Sequence, residues 1–402
     1  MARQDELYQW TQVVTKRLPH LSKPQATVLA LWSFGLVLAQ ACSTTRVAKR
    51  LAKRQHCKLD AVRQRLREWY CEAEAKHGAQ RQSLEVQSCF GPLLAWIVAW
   101  WPAGEQRLAL ALDATDLADR FTVLVISVLY RGCAIPVAWH VLPSKQPGRW
   151  QPHWARLLQS LAPHVPRDWL VLVLSDRGLY SRRLYRVVRR LHWHPFFRIN
   201  AQGNFRLAHT TDWRPLRSLP GGVDRHWAQH VICFQHQSLG CTLLAYQAAG
   251  YQECWLVVTD LPAAQAQIGW YGLRAWIECG FKHFKSHGWQ WQHTRMTDPR
   301  RVARHWLALA VATLWCVSVG GEVDAQQPAS SLADLPPTHI ARRTKGQRQR
   351  RRVFSCFQQG LMAIGDALLD RKPLPVTRFL PDPWPDLPPA LVPRRKHLAA
   401  QP

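Results

Sequence analysis

The residues best suited to chemistry include two aspartates that each follow an apolar run. Asp113 comes directly after residues 108–112, and Asp176 follows residues 169–174 and one serine. A carboxylate at the rim of an apolar core is costly unless something compensates its charge. Mg²⁺ prefers oxygen ligands and binds phosphate oxygens alongside one or two carboxylates. The two acids therefore predict a magnesium site if their strands are neighbours, although either acid alone is more typical of a helix cap or a turn.

A third acid lies in a segment whose spacing predicts one helix. Residues 271–285 place polar side chains at i, i+3, i+7 and i+14, which fall on one stripe of an α-helix: Tyr271, Arg274, Glu278 and Lys285. The remaining faces are apolar, so we expect a helix that is packed on most of its surface and opens this stripe into a cleft. The alternative is a solvated face with ordinary ion pairs. In the cleft, Arg274 and Lys285 would lie beside a metal-binding Glu278 and would bind phosphates.

This stripe resembles, without a gap, the Tyr-Arg-Glu-Lys signature of the DDE cut-and-paste transposases of bacterial insertion sequences. Residues 112–116 and 174–178 are similar to the first- and second-aspartate motifs of that group. The order Asp, Asp, Glu also fits, with 62 residues between the first pair and 101 between the second. The resemblance covers about residues 105–318.

The resemblance implies a catalytic triad of Asp113, Asp176 and Glu278 that holds two Mg²⁺ ions, with Mn²⁺ as a substitute. One ion would activate water or a DNA 3′-OH, and the other would stabilise the leaving oxygen during in-line attack on a phosphodiester. The resemblance also implies contacts with transposon-end phosphates by Tyr271, Arg274 and Lys285.

Two residues near these motifs are further candidates for DNA contact. Some relatives proceed through a hairpin at the transposon end, helped by a flipped base stacked on a Trp that starts the last strand of an insertion. Trp255 occupies the matching place, where stacking would contribute about 1–3 kcal/mol, and a core tryptophan is at least as compatible with the sequence. Arg177 directly follows Asp176 and would either orient that carboxylate or touch phosphate.

The implied fold class is α/β: an RNase H-like mixed sheet flanked by helices, with a β-rich insertion before the catalytic Glu helix and a helical N-terminal domain. Changes of period along the chain agree with this outline. The expected regions are a helical N-terminal DNA-binding domain (1–95), the first part of the RNase H-like core (105–200), the β-rich insertion (200–262), the helical second part of the core (263–320) and a basic, Pro-rich C-terminal tail (321–402).

Two short helices near residues 46–52 and 60–69 have the size of a helix-turn-helix. The second carries Arg63, Arg65 and Arg67, which are candidate DNA contacts. An ordinary helical bundle with a solvated basic face is equally compatible, because the turn has no Gly. A second basic run, residues 342–352, holds seven Arg or Lys and no acid.

The charge balance indicates a polyanionic partner. Lys and Arg number 53 against 26 Asp and Glu, which gives a net charge of +27. Apolar runs of about 14 residues are shorter than the ~20 that a membrane span needs, and the N-terminus has no signal-peptide pattern. We therefore expect a cytoplasmic, nucleoid-associated protein with no membrane partner.

A structural metal site is not predicted. The 11 cysteines include no Cys-x-x-Cys pair, which argues against a zinc ribbon. His283 and His287 have the i, i+4 spacing of zinc ligands, but the sequence suggests no third ligand. We expect both histidines to be exposed to solvent.

The expected function is that of a DNA transposase that binds the inverted-repeat ends of an insertion sequence. It would carry out metal-dependent phosphodiester hydrolysis and strand transfer, with a hairpin route as one option. Its partners would be transposon-end DNA, target DNA and a second copy of the chain in a synaptic homodimer. The alternatives are an RNase H-like nuclease without strand transfer and a helix-turn-helix regulator. A glycosidase with two carboxylates conflicts with the basic charge.

Overall fold

The computed structural model describes residues 5–77, 81–117, 119–144, 150–247, 253–326 and 354–385. Its N-terminal region is helical, as the spacing predicts. The helices are α1 (Asp5–Arg17), α2 (Lys23–Ala39), α3 (Thr44–Gln55), α4 (Leu59–Glu68) and α5 (Phe90–Trp100).

The central region is a mixed sheet with helices on both faces. Its first strands and helices are β1 (Arg107–Leu117), β2 (Phe121–Tyr130), β3 (Cys133–Pro143), α6 (Gln151–Leu161), β4 (Leu170–Ser175), α7 (Arg182–Arg190) and β5 (His194–Arg198). These five strands have the order β3-β2-β1-β4-β5. β1, β4 and β5 run parallel, and β2 is antiparallel to both of its neighbours. This order and these directions are those of the expected RNase H-like fold.

The β-rich segment extends this sheet rather than forming a separate β unit. Its strands are β6 (Asn204–Leu207), β7 (Arg214–Pro215), β8 (His226–Cys233), β9 (Leu239–Tyr246) and β10 (Trp255–Thr259). β10 pairs antiparallel with β5, so the described residues form one sheet that continues β5-β10-β9-β8-β6-β7. This pairing covers the edge that β5 would otherwise expose and carries Trp255 toward the core.

Alternate residues of β1 face two different layers of helices. Leu108, Leu110 and Leu112 belong to the larger apolar cluster, which also contains the buried side chains of α6 and α7. Ala109 and Ala111 belong to a second cluster. Its helical members come from a 3-10 helix (Ile268–Ala275) and from α8 (Trp276–Phe284). The small alanines therefore let these two helices approach the face on which Asp113 lies.

A long apolar helix, α9 (Pro299–Asp324), forms the centre of the larger cluster. It is long and apolar enough to cross a membrane, and α2 with α3 would also pass this test as one span bent by 94°. The expectation that no segment reaches spanning length was therefore wrong. The most apolar window of α9 is 89% buried inside the protein, which is typical of a core helix.

The N-terminal helices share this core with α9. Trp10 of α1 stacks on Trp315 at 4.1 Å between ring centroids. Trp69, which follows α4, donates its indole N–H to the carbonyl of Arg304 at 2.9 Å. Deleting these helices would therefore expose the core of the whole molecule.

The last described part of the chain consists of α10 (Cys356–Leu369) and an extended segment, residues 370–385, packed on the core. Buried Arg131 in the β2–β3 turn pairs with Asp324 at 3.1 Å and with Asp382 at 2.6 Å. This ion cluster fixes the segment against the end of α9. The basic run 342–352 lies outside the described residues.

Candidate active site

The pairing of β1 with β4 places the two aspartates side by side. The parallel ladder ends at the pair Leu112 and Ser175, so Asp113 is the next residue of β1 and Asp176 is the first residue after β4. Asp113 does not end its strand as expected, because β1 continues to Leu117 in the antiparallel hairpin with β2. Where β1 leaves β4 behind, the Asp113 side chain lies at the edge of the second cluster.

Backbone hydrogen bonds hold both aspartates. Asp113 Oδ1 accepts from the N–H of Ala114 at 2.8 Å. Asp176 Oδ1 accepts from the N–H groups of Gly178 at 3.0 Å and Leu179 at 3.1 Å. In both residues the Oδ2 atom is left to face the same neighbour, a guanidinium.

That guanidinium belongs to Arg274, and it binds all three predicted acids. Its Nη2 lies 2.6 Å from Asp113 Oδ2 and 3.7 Å from Asp176 Oδ2. Its Nη1 lies 3.0 Å from Glu278 Oε1. Acids separated by 62 and 101 residues in the sequence thus meet at one point, where β1, the end of β4 and α8 come together.

The stripe that carries Arg274 and Glu278 is not one α-helix, which corrects the expectation. Tyr271 and Arg274 lie in the 3-10 helix, where residues three apart share a face. Two glycines in this segment, at 269 and 272, disfavour an α-helix there. Glu278 follows in α8, and Lys285 comes after its last residue.

Lys285 lies outside the helix but still points toward the acid-bearing strand. Its Nζ donates to the carbonyl of Asp116 at 3.0 Å, near the end of β1. The side chain is half-buried, and this burial lowers its pKa from the usual value. The amine therefore contacts β1 three residues beyond Asp113, although Lys285 does not lie on the single α-helix that the spacing predicts.

Tyr271 departs from the predicted open cleft, because it is buried with only 5% of its surface exposed. It packs edge-to-face against Trp255 at 5.2 Å. Burial raises the pKa of Tyr271 to about 12. Trp255 itself is partly exposed and starts β10 as expected. The pair therefore forms an aromatic wall beside Arg274.

The electrostatics of the cluster leave an excess of negative charge. Burial is the largest cause that raises the pKa of Asp113, to about 6; Arg274 opposes the rise, and Asp176 and Glu278 add to it. Burial disfavours the charge of Arg274, yet the surrounding acids raise its pKa above the usual value. Three carboxylates against one guanidinium leave two negative charges uncompensated when all are ionised.

The chemistry of this donor set suits a divalent cation. All three side chains offer carboxylate oxygens, which Mg²⁺ and Mn²⁺ prefer. The described residues contain no group of three or more His, Cys, Asp or Glu side chains whose present positions would hold a metal ion. At this site the guanidinium of Arg274 lies between the three acids.

Arg177 contacts an acid that the sequence analysis missed. It pairs with Glu253 at 3.1 Å rather than with Asp176, so its expected role in orienting that carboxylate is not seen. Buried Arg198 donates to the same Glu253 at 2.7 Å. The position of Glu253, two residues before Trp255, gave no signal, because the pairing depends on β10 lying next to β5.

The other predicted basic residues do not join this cluster. Arg63, Arg65 and Arg67 lie on the exposed face of α4, whose Val62 and Leu66 face the core. Arg63 lies 3.9 Å from Asp60, the acid with which it pairs in the described part of the chain.

His283 is buried, contrary to expectation, whereas His287 is exposed. The reason is α10, which covers the end of α8. The Nε2 of His283 lies 2.9 Å from the hydroxyl of Ser355, and its ring stacks on Phe357 at 4.5 Å. Burial lowers the pKa of His283 to about 3.

Comparison with known proteins adds a family to this geometry. Residues 151–315 match the family model described as Transposase DDE domain. The matched region includes Asp176, Arg274 and Glu278, and it begins after Asp113. The chain thus carries a segment similar to the transposase DDE domain, and that similarity reaches two of the three converging acids.

No curated protein matches the chain. Among solved structures, the cryo-EM structure of the piggyBac transposase synaptic complex with hairpin DNA is similar at a TM-score of 0.36 and 10% identity. The similarity covers 87% of this chain and 73% of that one. A score this low does not bear on activity or partners.

Proposed function

We propose that this protein is a DNA transposase that binds the inverted-repeat ends of an insertion sequence and moves the element by cut and paste. The observation that carries the proposal is the convergence of Asp113, Asp176 and Glu278 on one guanidinium. The match of residues 151–315 to the transposase DDE domain supports the same reaction class. The proposal places the chain in the cytoplasm, on the nucleoid.

The three acids would hold divalent metal ions, Mg²⁺ or Mn²⁺. When bound, such ions activate the attacking oxygen and stabilise the leaving oxygen of a phosphodiester. The acids contribute fixed, partly buried carboxylates, two of them oriented by backbone N–H groups. These hydrogen bonds keep the carboxylates in place while the cation between them changes.

Arg274 is the residue whose role changes on DNA binding in this proposal. It now neutralises part of the charge of the three acids, and it would leave them when they hold metal ions. A phosphate of the DNA end is the anion that the released guanidinium would then bind, because Arg matches phosphate geometry with two parallel hydrogen bonds. Lys285, close to the end of β1, would contact a neighbouring phosphate.

The test uses the purified full-length protein and linear DNA that carries the sequences flanking the coding region. With Mg²⁺ we expect cleavage at the element end and joining of the freed 3′ end to a target plasmid, with two ends held by a homodimer. Cleavage without joining would favour a nuclease. Specific binding without either reaction would favour a regulator and would contradict the proposal.

Trp255 is proposed to stack a flipped base if the reaction passes through a hairpin. It is partly exposed and packs against Tyr271 beside Arg274. Because base stacking contributes about 1–3 kcal/mol, Trp255→Ala should slow hairpin formation on a pre-nicked end by about 5- to 150-fold. Gel analysis of the nicked duplex measures this rate.

Trp213→Ala is the control, since Trp213 is also partly exposed but contacts only Arg206 among charged or aromatic neighbours of the described chain. Hairpins formed by Trp255→Ala at the wild-type rate would make Trp255 a packing residue.

The arginines of α4 are proposed to contribute to recognition of the element end. Arg63, Arg65 and Arg67 are exposed, so replacing all three with Gln leaves the core intact. We expect this variant to lose most of its preference for end DNA over a scrambled duplex, as measured by competition binding. Lys16→Gln, an exposed change on α1, should retain the preference. Unchanged preference in the triple variant would assign recognition to another region.

A further inference from the structure

Positive charge is also concentrated in a cleft between α6 and α7, apart from the arginines of α4. The cleft has a volume of about 660 Å³, and five arginines line it: Arg156, Arg182, Arg183, Arg186 and Arg190. No Asp or Glu is among its described lining residues. We call this feature the arginine cleft.

The arginine cleft lies on the opposite face of the sheet from the three acids. Neighbouring residues of a strand point to opposite faces, and β5 shows which helix lies on each. The ring of Phe197 packs against that of Tyr185 of α7, with their centroids 6.3 Å apart. The ring of Phe196 packs against that of Trp270, in the 3-10 helix that carries Arg274, and these centroids are also 6.3 Å apart. A ligand in the cleft is therefore separate from the strand held at the acids.

The cleft arginines repel one another along α7. Arg182, Arg186 and Arg190 repeat at i, i+4 and i+8, and like charges at this spacing destabilise a helix. Arg182 and Arg183 also stand in the first turn, where the helix dipole disfavours cations. The fold thus holds several positive charges in positions that an anionic ligand would stabilise.

Arg189 is on the same helix as the cleft arginines but differs from them in its partner. Arg189 faces away from the cleft and pairs with Asp260 at 3.3 Å. Arg182 in the cleft has neutral partners among the described residues, including the carbonyl of His236 at 3.2 Å, the ring of Phe234 at 5.8 Å and the side chain of Tyr180. Its buried Nη1 atom has no hydrogen-bond partner there. The described residues include an acid that pairs with Arg189, outside the cleft, and none that lines the cleft.

We propose that the arginine cleft binds the phosphate backbone of a second stretch of duplex DNA, without reading its sequence. The proposal rests on the proposed function, since it assumes that DNA is the substrate. Guanidinium groups bind phosphates with two parallel hydrogen bonds, and duplex DNA presents one negative charge per ~1.7 Å of axis. Several arginines along one helix match such a row of charges better than they match a single small anion.

The test compares Arg183→Gln/Arg186→Gln/Arg190→Gln with Arg189→Gln. All four side chains are exposed, so neither variant alters the core. Binding to a fluorescent end duplex and to an unrelated duplex of equal length is measured over a range of salt concentrations. Each lost phosphate contact lowers the slope of log K against log salt by about 0.9. For the triple variant, we expect the magnitude of this slope to fall by about 2–3, and by the same amount on both duplexes. For Arg189→Gln, we expect the slope of the wild type.

Three results would overturn the inference. They are a wild-type slope in the triple variant, a loss confined to the end duplex, and an equal loss in Arg189→Gln. If thermal melting shows that the triple variant is unfolded, Arg186→Gln alone should lose about 0.9 in slope, and an unchanged slope would overturn the inference in the same way. A wild type that binds both duplexes but neither cuts nor joins the end would contradict the proposed function while leaving the slope comparison valid.

Discussion

Asp113→Asn, Asp176→Asn and Glu278→Gln should each lower the rate of Mg²⁺-dependent end cleavage by at least about a hundredfold. Each change removes one carboxylate from a set of three that meet at a single point. Metal-assisted stabilisation of a phosphoryl transition state is worth several kcal/mol, and each ~1.4 kcal/mol is tenfold in rate. Single-turnover cleavage of end DNA measures the effect.

Asp116→Asn is the matched control for these three variants. Asp116 lies on the same strand as Asp113, but it is exposed and its Oδ1 accepts a hydrogen bond from the hydroxyl of Thr122 at 2.6 Å. We expect near-normal cleavage from it, and near-normal metal-free DNA binding from all four proteins. An Asn or Gln variant that cleaves within tenfold of the wild type would remove that residue from the triad.

Arg274→Gln should destabilise the metal-free protein by about 1–3 kcal/mol. Removing one partner of a buried ion pair typically costs about 3–5 kcal/mol, and the partial exposure of the acids reduces this figure. Their side chains are 17%, 39% and 24% exposed for Asp113, Asp176 and Glu278. Because the acids would then lose the cation that pairs with all three, adding Mg²⁺ should stabilise Arg274→Gln more than it stabilises the wild type. Urea unfolding with and without Mg²⁺ measures both effects.

Arg177→Gln serves as the control for Arg274→Gln. It breaks an arginine–glutamate pair whose side chains are 44% and 37% exposed, and exposed pairs contribute about 0–1 kcal/mol. Its response to Mg²⁺ should equal that of the wild type. Equal stability and an equal Mg²⁺ response in Arg274→Gln would show that the guanidinium does not compensate the three acids.

The sequence could predict that Asp113 and Asp176 lie near each other, because each follows an apolar run that ends at the rim of the core. An apolar run followed by a carboxylate marks Asp176 at the end of β4, and the same pattern marks Asp113. It could not show that β1 continues past Asp113, because that extension depends on the hairpin with β2. Spacing placed Arg274 and Glu278 on one face, but spacing cannot show that a side chain binds acids from two other strands.

The misplaced residues share a physical cause, which is long-range packing. Tyr271 was expected to line an open cleft and His283 to be exposed, yet Trp255 packs on the first and Ser355 and Phe357 cover the second. The β-rich segment was expected as a distinct insertion, and its pairing with β5 is a contact between distant parts of the chain. The arginines of α7 were visible in the sequence, but the cleft that they line depends on how α6 packs beside them.

Binding of Mn²⁺ to the DNA-bound protein tests the central claim most directly, because the claim is that the three acids form one metal site. Electron paramagnetic resonance can count free and bound Mn²⁺ in the wild type and in Asp113→Asn, Asp176→Asn and Glu278→Gln. We predict that the wild type binds Mn²⁺ and that each variant loses at least about tenfold in affinity. Equal Mn²⁺ binding by the wild type and all three variants would contradict the account.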